Sequence, residues 1–199
     1  MLNSLILILS LAWAAKEPII EEGAHCVAYR AQKTMFLFKS DEVIGKNCDI
    51  SAQVLPEIGG LYHIEVNVPV RSFDSGDSDR DKDVIDILKG QERAELTFKT
   101  KAMNADQWRE LFKQGAFALD GELFIGSQSF PLKMQAHYSE KSESAEVDGM
   151  IQAKFEDVGL RPPKVGGGLI AKAKPNLELY FRLTSARILG ADSLRLGKK

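Results

Sequence analysis

Residues 63–100 read HIEVNVPVRSFDSGDSDRDKDVIDILKGQERAELTFKT, and their periodicity changes twice. At the start, Ile64, Val66, Val68 and Val70 alternate with His63, Glu65, Asn67 and Arg71, which is the pattern of a half-buried strand. At the end, Ala94, Leu96 and Phe98 alternate in the same way with Glu95, Thr97 and Lys99. The residues between follow a helical period. Asp77 or Ser78 can cap a helix there, acids fill its first turn, and Val84, Ile85, Ile87 and Leu88 form one apolar stripe that Gly90 ends. A strand-rich chain pauses for a charged amphipathic helix and then resumes.

Period-two alternation dominates outward from this stretch in both directions. CVAYRA (26–31) and TMFLFKS (34–40) flank Gln32-Lys33, which reads as a tight reversal. NCDISAQV (47–54) follows a turn around Gly45, and Gly59-Gly60 closes that segment. FALDGELFI (117–125), SFPLKMQAHY (129–138), EVDGMIQAKF (146–155) and NLELYFRLTS (176–185) each set apolar residues against polar ones. Eight or so strands with one wet face predict an all-β fold of antiparallel sheet, closed as a barrel or paired as a sandwich. ADQWRELFKQG (105–115) predicts a second short inserted helix, with Trp108, Leu111 and Phe112 on one side and Asn104 as its cap. RPPKVGGGL (161–169) reads as a flexible connection; no Gly-Lys-Ser/Thr follows, so its glycines are not a phosphate loop.

The 199 residues predict one domain. The formal charge is −2 with no basic block, which argues against a nucleic-acid partner. Residues 1–15, MLNSLILILSLAWAA, carry no charge. Ala12-Trp13-Ala14 fits a signal-peptide cleavage pattern, although no Lys or Arg precedes the apolar run. The run is short for a stable membrane span. The expectation is a signal peptide over 1–15, an exported mature chain from about Lys16, and a single domain over 16–199. Export with two cysteines, Cys26 and Cys48, invites a disulfide; two separate buried thiols are the alternative.

Little in the sequence points to catalysis. His25, His63 and His137 have no metal-ligand spacing, and His63 and His137 fall on polar strand faces, where they read as surface residues. Asp77, Asp79, Asp81 and Asp83 alternate, but no glycine bends the run and no late Glu completes a calcium loop. No G-x-S-x-G elbow is present. The inward faces carry no acid. The expectation is therefore no enzyme, no catalytic residue, no metal and no required cofactor. The interior remains: nearly every inward position is aliphatic, aromatic or Met, with Gly121 and Gly149 on inward faces where a missing side chain makes space. Such a barrel either fills its middle or leaves room for one small apolar ligand.

These residues resemble a known family. SFDSGDSDRDKDVIDIL followed by LTF is similar to the signature of the YceI-like, polyisoprenoid-binding family, through Ser72, Asp74, Gly76, Arg80-Asp81 and Thr97-Phe98. DGELFIGSQSFPLKM resembles that family's hairpin through Gly121, Leu123, Ile125 and Pro131. The likeness covers about residues 27–187. Lys82-Asp83, Phe124 and the displaced Gly126 depart from the usual pattern, as does the cysteine pair.

The resemblance implies an extended, lipocalin-like antiparallel barrel in the periplasm that holds an isoprenoid lipid or quinone tail. The predicted lining is Phe36, Phe38, Val68, Phe98, Phe117, Leu119, Met134, Phe155 and Phe181. Val84, Ile85, Ile87 and Leu88 of the charged helix would plug one barrel end, and Trp108 would act likewise at an opening. Related folds commonly pair, so a homodimer is one expectation. Another lipophilic cargo (an antibiotic or fatty acyl chain), an enzyme using the barrel mouth, and a solid-core module that binds a protein are the alternatives.

Overall fold

The computed structural model describes residues 18–35, 40–141, 144–165 and 171–194. Strands β1 (Cys26–Met35), β2 (Ser40–Asn47), β3 (Ser51–Glu57) and β4 (Leu61–Pro69) lead to helix α1 (Ser78–Ile87). After it come β5 (Glu95–Thr100), β6 (Met103–Asn104) and helix α2 (Ala105–Lys113). The chain then forms β7 (Ala116–Ile125), β8 (Gln128–Glu140), β9 (Ala145–Lys154), β10 (Lys164–Val165), β11 (Ala171–Thr184) and β12 (Ile188–Leu189). The predicted initial signal peptide lies outside the described residues, as do Phe36 and Phe38. No helix among the described residues is long and apolar enough to cross a membrane.

The strands form one sheet in the order β12-β3-β4-β5-β7-β8-β9-β11-β1-β2, antiparallel except for the β12–β3 pair. Its right-handed twist curls it into a lipocalin-like barrel. The ladder does not close, since β2 and β12 are its two edges. Two other links bring the β2 edge to the far side, and a third braces β2 to its own neighbour β1. Lys46 and Asp74 exchange backbone hydrogen bonds of 2.8 Å in both directions. The Asn47 side-chain amide donates to the Pro69 carbonyl oxygen at 2.8 Å. Cys26 and Cys48 are joined in a disulfide between β1 and the β2–β3 connection.

Alternation sets which residues face inward. Along β7, Phe117, Leu119, Gly121 and Ile125 are buried while Ala118, Asp120 and Glu122 are exposed. The same rhythm in β4 and β8 turns Ile64, Val66, Val68, Leu132 and Met134 into one apolar interior. A second, small cluster sits outside the barrel wall, where Ile20 of the N-terminal segment packs on Cys26, Ala28 and Tyr180.

Four sequence expectations are corrected. Gln32-Lys33 is not a reversal: β1 runs through it, with an irregularity in its pairing to β11 between Ala31 and Lys33. Gly45 is not in a turn but inside β2, where the Tyr29 ring lies against it; a Cβ there would come within 2.4 Å of Tyr29 Cε1. His63 is not a surface residue. It is 8% exposed, with Nδ1 2.8 Å from Glu57 Oε1. The space over Gly121 and Gly149 is not empty, because the rings of Phe98 and Phe181 occupy it.

Both helices start as the sequence predicts. Asp77 caps α1 by accepting from the Asp79 and Arg80 amides, which, with the Arg80 amide foremost, hold its carboxyl below the usual range. Asn104 caps α2 in a reciprocal box with Gln107, at 2.9 and 3.0 Å.

Candidate functional site: an apolar cavity with one wet end

One end of the barrel is shut by aromatic packing. The α2 side chain Trp108 is 1% exposed, and its indole stacks on Phe112 with ring centroids 5.5 Å apart. Phe112 in turn stacks on Tyr138 at 4.7 Å and meets Phe117 edge-on at 6.1 Å. The helical spacing of 108 and 112 places both rings on the inward face of α2. Trp108 satisfies its one polar atom by donating to the Tyr62 carbonyl oxygen, so nothing polar points into the barrel from this floor.

Above the floor the lumen is hollow. A cavity of about 480 Å³ runs between the strands. Its walls come from β4 (Ile64, Val66, Val68), β5 (Leu96, Phe98), β7 (Phe117, Leu119, Leu123, Ile125), β8 (Met134), β9 (Val147, Ile151) and β11 (Leu177, Leu179, Phe181, Leu183). Thr100 is the polar exception low in the wall, and its hydroxyl already accepts from the Ile64 amide at 2.9 Å.

Among the described residues, charge enters the lining only at the opposite end. Gln32, Lys33, Asp77, Asp79, Arg80, Asp83 and Lys172 border the cavity there. The Asp79 side chain is 89% exposed, so this is the end that meets water. Three ion pairs sit at this rim: Arg80 with Asp77 at 3.4 Å, Lys82 with Asp79 at 2.9 Å and Lys33 with Asp41 at 3.4 Å. Just inside the rim, Tyr29 packs its ring 5.6 Å from Phe73. Among the described residues its buried hydroxyl has no hydrogen-bond partner, and burial, with Asp81 adding and Arg80 opposing, pushes its pKa up to about 12. It is neutral at physiological pH.

Val68, Phe98, Phe117, Leu119, Met134, Phe155 and Phe181, all predicted as lining, do line the cavity. The predicted plug differs. Val84, Ile87 and Leu88 reach the cavity, but Ile85 packs beside Gly90 instead. No residue of α1 is fully buried, so α1 lies along the wet rim and does not seal it. Trp108 lines the cavity at the α2 end, and its side chain is what plugs that end. Sequence reasoning missed Tyr29, Lys33, Arg80, Val158 and Leu160 of the lining, among others. Tyr29 carried a usable signal, as the aromatic alternating with Ala28 and Arg30. Among the described residues no three His, Cys, Asp or Glu are grouped to hold a metal ion.

A curled antiparallel barrel with one apolar, dead-ended cavity is a lipocalin-like architecture. A sequence profile of the YceI-like domain matches residues 25–184, and the chain belongs to that family. No curated protein sequence gives a significant match. Among solved structures, BcnA of Burkholderia cenocepacia superposes with a TM-score of 0.59 at 16% identity, covering 80% of this chain and 95% of that one. A polyisoprenoid binding domain from Saccharophagus degradans gives 0.55 at 11% identity, covering 79% and 92%. A Campylobacter jejuni YceI protein gives 0.50 at 14%, covering 70% and 82%. At these identities the likeness is one of fold.

Proposed function

We propose that this chain is an exported, periplasmic binding protein that shelters an isoprenoid molecule, of polyprenyl or quinone type, with its tail in the barrel. The observation that carries the reading is the cavity itself: about 480 Å³, apolar along its walls and charged only at the rim. Family membership and the polyisoprenoid-binding description of the Saccharophagus relative support the choice of cargo. The uncharged run over residues 1–15 supports export.

The work done is burial. Each methylene withdrawn from water is worth roughly 0.8 kcal/mol, so a tail of fifteen or so carbons gains roughly 12 kcal/mol gross, before the cost of association. A bilayer offers the same tail a similar gain per methylene. Exchange between membrane and protein is then close to balanced, which suits a carrier or buffer. No covalent step is assigned: among the described residues the deep lining offers no acid or base, its one hydroxyl, on Thr100, already accepts from the Ile64 amide, and charge stays at the wet rim.

Filling the lumen tests the proposal. Phe117→Trp and Phe181→Trp each add bulk to the wall. Both should cut uptake of a fluorescent prenyl probe at least tenfold while leaving far-ultraviolet dichroism unchanged. Undiminished uptake in both would rule out this cavity as the site.

A further inference from the structure

We propose that Trp108 is the floor that sets tail length, and that the cavity accepts about three to four isoprene units before a longer tail must project past the α1 rim. This rests on the reading of the cavity as a tail-binding site. Three observations carry it. The lumen is closed at the α2 end by a side chain 1% exposed and held by a hydrogen bond to the Tyr62 carbonyl, so a tail cannot thread through. Every charged residue of the lining lies at the other end, so an amphiphile enters in one orientation, tail first. The volume is finite: at roughly 30 Å³ per water-sized group, 480 Å³ takes about sixteen non-hydrogen atoms, or three five-carbon units.

The floor is a single replaceable side chain. Trp108→Ala removes about nine ring atoms, enough at that same packing for about one to two further units. Trp108→Leu removes fewer and keeps an apolar plug for the core.

The test is a binding series with prenols of two, three, four, six and nine isoprene units, measured by displacement of a fluorescent prenyl probe. For the unaltered protein, affinity should rise about tenfold or more per added unit up to three or four units, then change less than about twofold. In Trp108→Ala the plateau should begin one to two units later. Trp108→Leu, which keeps more of the core, should shift it in the same direction and serves alone if the alanine variant does not fold. Affinity that keeps climbing to nine units, or a plateau unmoved in the folded variants, overturns the floor while leaving tail binding intact. Failure of prenols of every length to bind overturns the tail-binding reading, and the floor with it.

Discussion

The indole N–H of Trp108 donates to the carbonyl oxygen of Tyr62 across 2.9 Å, tying α2 to the start of β4. This bond fixes the closed end of the barrel to its wall. Trp108→Phe keeps an aromatic floor but removes the donor. It should cost about 1–3 kcal/mol, read as a lower urea midpoint at unchanged slope. An unaltered midpoint would mean that the bond does not hold the floor.

The disulfide should matter because it pins the edge strand β2 to its neighbour β1 at the end of their shared ladder, next to the Val27–Asn47 pair. Cys26–Cys48 staples β1 to the connection after the edge strand β2, across 22 residues of chain. On the chain-entropy model, Cys26→Ala with Cys48→Ala removes about 3 kcal/mol. For a chain of this size that is a fall in melting temperature of about 6–12 °C. Equal melting temperatures for the double variant and the parent would show that the β1–β2 ladder needs no covalent brace.

Stability should fall on mild acidification, and His25 should account for part of that fall. The ring is 1% exposed, and its Nδ1 accepts from the Thr184 amide at 3.2 Å. Burial first, and Arg187 second, hold its pKa down to about 4 from the ordinary 6.5. Above that ordinary value both folded and unfolded chains carry a neutral ring. As pH falls through the window, the unfolded chain takes the proton first, so stability drops; the loss is complete below about 4, at about 3 kcal/mol. His25→Asn keeps an acceptor for Thr184 and should flatten this part of a denaturation-against-pH curve. An identical slope in the variant would assign the effect elsewhere.

Gly149 has no room for a side chain. A Cβ there would lie 2.1 Å from the Gln135 carbonyl oxygen and 2.7 Å from Phe181 Cζ. The β8 backbone cannot yield as a side chain would. Gly149→Ala should therefore cost about 3 kcal/mol or more and displace Phe181 from the cavity wall. A variant of parental stability and prenyl affinity would contradict this packing.

The sequence made the strand faces legible wherever one side of a strand is covered and the other wet, as in β4 and β7. It failed at β2. There SDEVIGKN has only Val43 and Ile44 as large apolar residues, and they are adjacent. An edge strand with so little cover carries no period-two signal, so its residues read as a turn. Gly45 strengthened that misreading, because the ring of Tyr29 that requires a glycine there belongs to another strand. The buried state of His63 was hidden for a similar reason: what surrounds it comes from Glu57 and Glu65, which look like solvent-facing acids along the chain. The aromatic lining was readable from alternation. The rim was not, because a charged residue beside a cavity mouth and one on an open helix face have the same local sequence.

The central claim, that the lumen holds an apolar tail, is tested most directly by organic extraction and mass spectrometry of the protein purified from cells that make it. The account predicts an isoprenoid recovered at about one molecule per chain. Recovery of no lipid, together with no uptake from isoprenoid-loaded vesicles by the same preparation, would contradict it.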